Sequence, residues 1–315
     1  MTYSLLMIMD PIEKINIKKD TSFGFLLEAQ ERNWDIYYCQ PQDLSLRSTK
    51  IVASCQKAQV YNEVGNHYKL EPTEIRALAD FSFAFMRKDP PFNMDYIYST
   101  YLLELAQEQG AMVVNNPRSL RDCNEKLYTA WFPQFTPETL VAANKAQFEQ
   151  FLAQHQDVIL KPLDGMGGAS IFRVKQGDPN LSVIIETLTE HGKQLAMAQK
   201  FIPEITAGDK RILVVNGEVI PYTLARIPPQ GETRGNLAAG GSGVPMPITE
   251  KELAIAQQIA PDLVKRGLYF VGLDMIGDYV TEINVTSPTC MRELQDEYGI
   301  NIAAKLFDAV EAQLE

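Results

Sequence analysis

The segment Val271-Gly272-Leu273-Asp274-Met275-Ile276-Gly277-Asp278-Tyr279-Val280-Thr281-Glu282-Ile283-Asn284-Val285 constrains this chain more tightly than any other stretch. Its side chains alternate between apolar and polar, and alternation fixes the register of a hairpin. Gly277-Asp278 marks the turn. A two-residue loop there would set Leu273 opposite Glu282 and Val271 opposite Asn284, mixing charge into an apolar face. A three-residue loop, Gly277-Asp278-Tyr279 with a bulge, pairs Val271 with Val285, Leu273 with Ile283 and Met275 with Thr281. The second register is the expected one, because it leaves one face apolar and gathers Asp274, Glu282 and Asn284 on the other. Two carboxylates and an amide oxygen are hard ligands suited to Mg²⁺, with Mn²⁺ served by the same set. Such a metal commonly completes its shell with water and substrate phosphates. A strand carrying Asp and Glu also reads as a plain solvated face. Gly272, which leaves room above the sheet, and a second motif favour the metal.

That second motif is Ile159-Leu-Lys161-Pro-Leu-Asp164-Gly165-Met166-Gly167-Gly168-Ala-Ser170, a lysine at a strand end followed by a glycine loop. Glycines let backbone N–H groups approach an anion with no Cβ in the way, and the lysine adds a full charge for phosphate oxygens. An isolated glycine turn would serve equally as a tight connection between strands. With Lys161 and Asp164 beside it, the loop points to a nucleotide triphosphate.

Composition narrows the partners. The chain has 315 residues, 45% of them hydrophobic, enough for cores in more than one domain. Its net charge of −11 repels nucleic acid and anionic membrane surfaces, so anionic ligands need local basic clusters or a metal. The opening apolar run stops at Asp10-Pro11 without a basic start, too short for a signal peptide or a membrane span, which leads to the expectation of a cytoplasmic protein. Cys39, Cys55, Cys123 and Cys290 show no C-x-x-C spacing and read as free thiols.

Along the chain, Leu5–Met9, Asp35–Cys39, Phe81–Met86 and Met112–Val114 read as strands, with helices at Ser22–Arg32 and Tyr96–Gln109. This is an α/β layout with a largely parallel sheet. No G-x-G-x-x-G follows the first strand, so a dinucleotide site has no support and a substrate-side domain is expected over residues 1–120. A new helix, carrying Lys126, opens around Ser119. Strands at Thr139–Val141, Val158–Lys161, Ile171–Val174 and Leu195–Gln199, with helices at Lys145–Gln154 and Leu181–Thr189, make a small α+β lobe over 121–202. A second α+β lobe, 203–315, holds the hairpin Arg211–Val215 and Glu218–Ala225 around Asn216-Gly217. The Gly- and Pro-rich stretch Ile227–Pro247 has almost no periodicity and reads as a long, lid-like loop.

Other candidates carry less on their own. Lys126 alone would be a surface lysine. Arg211 and Arg226 lie near the open end of a hairpin and Arg234 lies in the long loop, where guanidinium groups can clamp phosphate or carboxylate oxygens or simply face water. Ser287, Thr289 and Arg292 follow the metal strand at the start of a helix, and Arg87 ends a strand of the first domain; each suits an anionic substrate or an ordinary helix cap or strand end. His67, His155 and His191 have no partnering nucleophile, so a His-based triad finds no support.

Taken together, Ser119–Leu127, Ile159–Val174, Gly208–Arg211, the run Thr233-Arg-Gly-Asn-Leu-Ala-Ala-Gly-Gly241 and Val271–Cys290 resemble the bacterial glutathione synthetases, ATP-grasp ligases, along almost the whole chain. The resemblance implies an ATP-grasp fold, with ATP between two α+β lobes. It implies that Lys126 and Lys161 contact phosphates beneath Gly165, Met166, Gly167 and Gly168. Gln199, Lys200, Phe201 and Ile202 would then meet adenine and Asp209 the ribose. It gives the metal to Asp274, Glu282 and Asn284, stabilisation of the intermediate to Arg211 and Arg226, and closure to a mobile loop at 227–242 carrying Arg234. Ser242 stands where a basic residue is the family's pattern. The implied reaction ligates γ-glutamylcysteine to glycine through an acyl phosphate, in a cytoplasmic homotetramer with no nucleic-acid or membrane partner. Another ATP-grasp carboxylate–amine ligase would carry the same phosphate and metal residues. A non-catalytic ATP-binding regulator would have no need of the metal face or of Arg234.

Overall fold

The computed structural model describes residues 2–232, 234–237 and 240–314. Strand β1 (Ser4–Met9) is apolar on both faces and buried along most of its length, as a central parallel strand must be. Helix α1 (Thr21–Glu31), capped by Asp20, returns the chain to β2 (Asp35–Cys39), which pairs parallel with β1. Next come β3 (Leu44–Arg47), β4 (Lys50–Val60), β5 (Tyr68–Leu70) and β6 (Glu74–Ala77), all antiparallel to their partners. Then β7 (Phe83–Arg87), α2 (Met94–Glu108) and β8 (Val113–Val114) complete an eight-stranded sheet of order β3-β4-β2-β1-β7-β8, with β5 and β6 on β4. The expected parallel sheet therefore holds only at its centre. The antiparallel part was not expected: β3, β5 and β6 are short and largely exposed, and the apolar stretch Ile51-Val52-Ala53 of β4 soon gives way to Ser54, Gln56 and Lys57.

Helix α3 (Pro117–Asp122) starts two residues before the expected position, because Asn116 caps it by accepting from Ser119 N–H. It also stops early. Asn124 Oδ1 accepts from the N–H groups of Lys126 and Leu127 and starts a separate 3₁₀ turn, so Lys126 stands at a break in the chain and not on a helix.

The second sheet is built from β9 (Thr139–Ala142), β10 (Asp157–Pro162), β11 (Phe172–Lys175) and β12 (Ala196–Lys200) in the order β11-β10-β12-β9, covered by α4 (Lys145–His155) and α5 (Leu181–Leu188). It has a core of its own around Phe148, Leu152, Leu160 and Ile185.

The third sheet runs β15-β14-β13-β16-β17. Its strands are β13 (Asp209–Val215), β14 (Glu218–Ile227), β15 (Ser242–Pro247), β16 (Phe270–Ile276) and β17 (Tyr279–Asn284), with α6 (Glu250–Lys265), α7 (Met291–Tyr298) and α8 (Ile302–Glu311) around them. The turn of β13–β14 is Asn216-Gly217, both with positive φ, as a tight hairpin requires. The long loop is shorter than expected, since Ser242–Pro247 pairs on β14 as an edge strand, where proline is tolerated. Within the loop, Thr233, Ala238 and Ala239 lie outside the described residues.

The β16–β17 register corrects one detail of the sequence reading. Ile276 pairs with Tyr279, so the loop is the two residues Gly277-Asp278, and Met275 faces Val280, not Thr281. The extra residue is accommodated at Thr281, inside the strand. Beyond it Asp274 pairs with Glu282, Leu273 with Ile283 and Gly272 with Asn284, as expected. Placing the bulge there keeps the apolar face unbroken up to the turn.

The first and third sheets share buried aromatic packing. Phe25 meets Phe270 edge-on at 5.0 Å, and Trp34 packs against Phe83 at 4.9 Å and Phe307 at 4.7 Å. Buried Asn115 adds a polar tie, donating to Phe270 O at 2.9 Å and Val285 O at 2.8 Å and accepting from Phe270 N–H at 3.0 Å. Among the described residues no helix is long and apolar enough to cross a membrane. All four cysteines are free and buried.

Phe25→Ala empties a place in this shared core and costs about 3–5 kcal/mol. Hydrogen exchange checks where the loss goes: amides of the first and third sheets lose protection together, while β9–β12, with their separate core, keep theirs.

Candidate active site

The charged residues of the three sheets converge on one cleft, and their pairing follows from their burial. Asp274, on the interior strand β16, is 1% exposed. Such a carboxylate needs cations. It receives Arg211 from β13 through Nε and through Nη2 at 2.8 Å, and Arg226 from β14 through Nη2 at 2.8 Å. Burial pushes the Asp274 carboxyl up, but the two guanidinium groups outweigh it and hold the carboxyl well below the usual range. Arg226 also reaches Asp209 Oδ2 at 2.5 Å. Asp209 keeps its other oxygen, Oδ1, buried and without a partner among the described residues. Burial, opposed by Arg226 and assisted by Asp274, pushes the Asp209 carboxyl up to about 6.

Across from this cluster stands Glu282, with two buried lysines on it. Lys126 Nζ is 3.7 Å and Lys161 Nζ 4.0 Å from Glu282 Oε1. Lys126 also bonds Glu125 and donates to Gly165 O at 2.8 Å, which ties it to the glycine loop. Burial opposes the charge of Lys126, but Glu282 and Glu125 more than compensate and raise its pKa. For Lys161 burial prevails and lowers it, with Glu282 pulling the other way. Two cations sharing so few carboxylates are poised for further anionic oxygens.

Gly165, Gly167 and Gly168 all have positive φ, and a Cβ on Gly168 would lie 2.7 Å from Asn236 Oδ1. The glycine loop is thus in contact with the long loop, whose Arg234 donates from Nη1 to Gly168 O at 3.4 Å and pairs with Glu232 at 3.3 Å. Beneath the long loop, whose Arg234, Gly235 and Asn236 line it, opens the first of two chambers. It is lined by Lys161, Gln199 and Lys200-Phe201-Ile202, with Asp209 on its other side and Ile159 and Ile171 supplying apolar surface. Gln199 is itself tied down, donating to Thr139 Oγ1 at 3.1 Å.

The second chamber, about 320 Å³, is lined by Met166 and Gly167 on one side, by Arg211, Arg226, Glu282 and Asn284 beneath, and by Ser287 and Thr289 at the far end. Asn284 donates its Nδ2 to Gly272 O at 3.4 Å, which leaves its carbonyl oxygen for another donor or a cation. Among the described residues no three His, Cys, Asp or Glu side chains gather as a closed metal cage. Glu282 and Asn284 nonetheless fit a hard cation that draws its remaining ligands from substrate phosphates and water.

Two expected site residues sit differently from the rest. Arg87 is 5% exposed and lies beyond the second chamber, donating to Ser22 Oγ and Pro288 O. Arg292 turns out of the chamber to Asn62 Oδ1 at 3.2 Å and over the Phe23 ring. Glu125 was missed. It lines the second chamber beside Lys126, but next to a lysine in sequence it reads as half of a surface pair.

The chain is similar to known proteins along nearly its whole length. Residues 3–121 match the family model "Prokaryotic glutathione synthetase, N-terminal domain" and residues 125–299 the model "Prokaryotic glutathione synthetase, ATP-grasp domain". The chain is 57% identical over 308 residues to a glutathione synthetase of Vibrio vulnificus (strain CMCP6), covering 98% of this chain and 97% of that protein. It is 58% identical over 308 residues to one of Escherichia coli O6:H1, covering 98% of each. Among solved structures, the ATP-grasp ligase PsnB complexed with minimal precursor, Mg and ADP superposes with a TM-score of 0.61 at 16% identity, over 98% of this chain and 97% of that one. The fold is therefore ATP-grasp.

Glu125 generates a pH test. Its carboxyl is pushed up to about 7, by burial first and by Glu282 second, against the pull of Lys126. Between its ordinary value of 4.5 and about 7 the folded chain holds this proton and the unfolded chain has lost it. Stability therefore falls as pH rises through that window, by roughly 3 kcal/mol from this group. Urea unfolding of the metal-free protein at about pH 5 and about pH 8 shows this slope in the wild type, and Glu125→Gln reduces it by about that amount, leaving the share of Asp209, whose carboxyl is also raised.

Proposed function

The chain belongs to the prokaryotic glutathione synthetase family and catalyses the ATP-dependent synthesis of glutathione, and we propose that the two chambers divide the work between ATP and γ-glutamylcysteine. The observation that carries this division is the pair of buried lysines, Lys126 and Lys161, sharing Glu282 where the chambers meet.

In the first chamber the backbone of Lys200, Phe201 and Ile202 meets the adenine edge beside Gln199, and the isoleucines cover its faces. The unpartnered Asp209 Oδ1 accepts a ribose hydroxyl. Lys126 and Lys161 take phosphate oxygens, and the backbone of Gly165–Gly168 closes over them. ATP-grasp ligases use ATP with a divalent metal. Here Glu282 and Asn284 would hold Mg²⁺, with Mn²⁺ served by the same oxygens, and the bound ion would neutralise phosphate charge. Asp274 shares that face, but both its oxygens are engaged by Arg211 and Arg226, so its first task is to hold the two guanidinium groups in place.

In the second chamber the cysteinyl carboxylate of γ-glutamylcysteine lies against Arg211 and Arg226, with Ser287 and Thr289 beside the dipeptide. A carboxylate is already ionised at neutral pH, so no Ser or Cys nucleophile is needed. It attacks the γ-phosphorus and ADP leaves, giving an acyl phosphate. The amine of glycine then attacks the acyl carbon, phosphate leaves, and the amide of glutathione is formed. The protein supplies alignment and fixed positive charge at the transferring oxygens. Arg234 and its loop close from the glycine-loop side and keep water from the acyl phosphate. We place this reaction in the cytoplasm and in a homotetramer, on the strength of the family resemblance.

Phosphate release from ATP tests the assignment. It is expected only when γ-glutamylcysteine and glycine are both present, and a requirement for a different acceptor would point to another carboxylate–amine ligase. Glu282→Gln is expected to lower Mg²⁺-dependent turnover by about two orders of magnitude. Its thermal midpoint should fall by several degrees, because buried Lys126 and Lys161 lose a shared counter-charge, so turnover is read well below that midpoint, where the variant is folded.

A further inference from the structure

Phe201 borders the nucleotide chamber from just beyond the end of β12, where the chain leaves the second sheet for the third. A residue past a strand end has no ladder of its own to hold it, yet this one is gripped at two points. Its N–H donates to Asp157 O at 3.0 Å, which carries the β10–β12 pairing one step beyond Val158 and Lys200. Over its ring lies the guanidinium of Arg173, from β11, with Cζ 3.5 Å from the ring centroid. Arg173 in turn donates to the carboxylate of Asp157, from Nε to Oδ1 at 3.0 Å and from Nη2 to Oδ2 at 2.6 Å. Asp157 thus holds the backbone of Phe201 directly and its ring through Arg173.

The strand registers put this clamp behind the chamber. Arg173 pairs with Ile159 and Ile159 with Gln199, so these side chains share one face of the sheet, and Asp157, two positions before Ile159, falls on the same face. Ile159 and Gln199 line the chamber, whereas Arg173 and Asp157 are not among the described residues that do. Their side chains are 29% and 28% exposed, and an ion pair so open to water adds little to folding. What it fixes is direction. The edge of a guanidinium carries the donors that fork a carboxylate, and its flat face stays free for an aromatic ring. Arg173 uses edge and face at once, so the Phe201 ring cannot turn without giving up a contact.

We propose that Arg173 and Asp157 are positioning residues for the nucleotide base: by clamping Phe201 they set the wall formed by residues 200–202 before ATP enters, without touching ATP themselves. The proposal rests on reading the first chamber as the ATP site and extends that reading to residues outside the chamber. Without the clamp Phe201 samples other directions, and the base must order it on binding. The triphosphate, held by Lys126, Lys161 and the glycine loop, is indifferent to it.

Steady-state kinetics with ATP, and competition by inorganic tripolyphosphate, separate base from phosphate. Tripolyphosphate reaches the lysines and the glycine loop but has no base. Arg173→Met is expected to raise KM for ATP about fivefold, the loss of one partly exposed cation–aromatic contact, while KM for γ-glutamylcysteine and Ki for tripolyphosphate stay within about twofold. Asp157→Ala, which keeps the backbone carbonyl and removes the fork, should repeat this pattern. Arg173→Lys should stay close to Arg173→Met, since lysine keeps the charge but cannot fork the carboxylate and lie flat on the ring together. In a Phe201→Ala background Arg173→Met should change KM for ATP by less than about twofold, because the clamp has nothing left to hold. A loss on tripolyphosphate equal to that on ATP, full rescue by lysine, or an undiminished effect in the Phe201→Ala background overturns the clamp. Phe201→Ala alone is read first: an unchanged KM for ATP overturns the reading of the chamber as the base site and the clamp with it. A raised KM in Phe201→Ala with none in Arg173→Met overturns the clamp alone.

Discussion

Everything in the cleft depends on one buried carboxylate. Asp274 stands on an interior strand, β16, with Arg211 of the adjacent β13 and Arg226 of β14, one strand further, both on it. Removing one member of such a cluster leaves an uncompensated buried charge, a change that typically costs about 3–5 kcal/mol. The cluster therefore locks three strands in register and, in the same act, aims two guanidinium groups at the second chamber. Because they are held before any substrate arrives, little reorganisation is needed when negative charge develops in front of them. Lys126 and Lys161 work differently: they share a partner that touches the chamber, so their charge is available to phosphate.

Packing divides the chain along other lines than the order of its sheets. The first and third sheets are joined through Phe25, Trp34, Phe270 and Phe307 and through the amide of Asn115, so the floor of both chambers is rigid. The second sheet has its own core and meets the floor through charged and loop contacts such as Lys126 to Gly165. The strand-end residues Lys200–Ile202 connect the two and also line the nucleotide chamber. Filling that chamber and settling the second sheet over the floor are thus linked events.

Legibility followed periodicity. Strict alternation in Val271–Val285 identified the shared face of Asp274, Glu282 and Asn284, and the Asn216-Gly217 turn identified its neighbouring hairpin. The position of the bulge was not readable, since a three-residue loop and a two-residue loop with an internal bulge place residues 282–285 on the same faces. Of the strands between Leu44 and Ala77 three are short and mostly exposed, and the apolar stretch of β4, Ile51-Val52-Ala53, is only three residues long before polar residues interrupt it. The start of helix α6 is written in the sequence as a reciprocal capping box, Thr249 and Glu252. Arg173 shows a harder limit. An arginine in a short strand is fully accounted for as a solvated side chain, so its place over the Phe201 ring leaves no trace in sequence. The engagement of Asp274 by arginines was invisible for a related reason: a carboxylate on a polar face reads alike whether its partner is a metal or a guanidinium.

The bulge at Thr281 makes the position of the extra residue, as distinct from residue identity, a functional variable in this hairpin. With Thr281 set outside the ladder, Val280 and Ile283 both point into the core while Glu282 and Asn284 point at the cleft. Entry of Thr281 into the ladder opposite Asp274 would shift the phase of everything after it, sending the acid and the amide inward and two aliphatic side chains toward the phosphates. Substitutions along β17 are therefore graded in their effects, but a change in which residue is looped out is not. The segment behaves like a reading frame written in side-chain direction, with Thr281 as the extra base set aside so that the rest stays in phase.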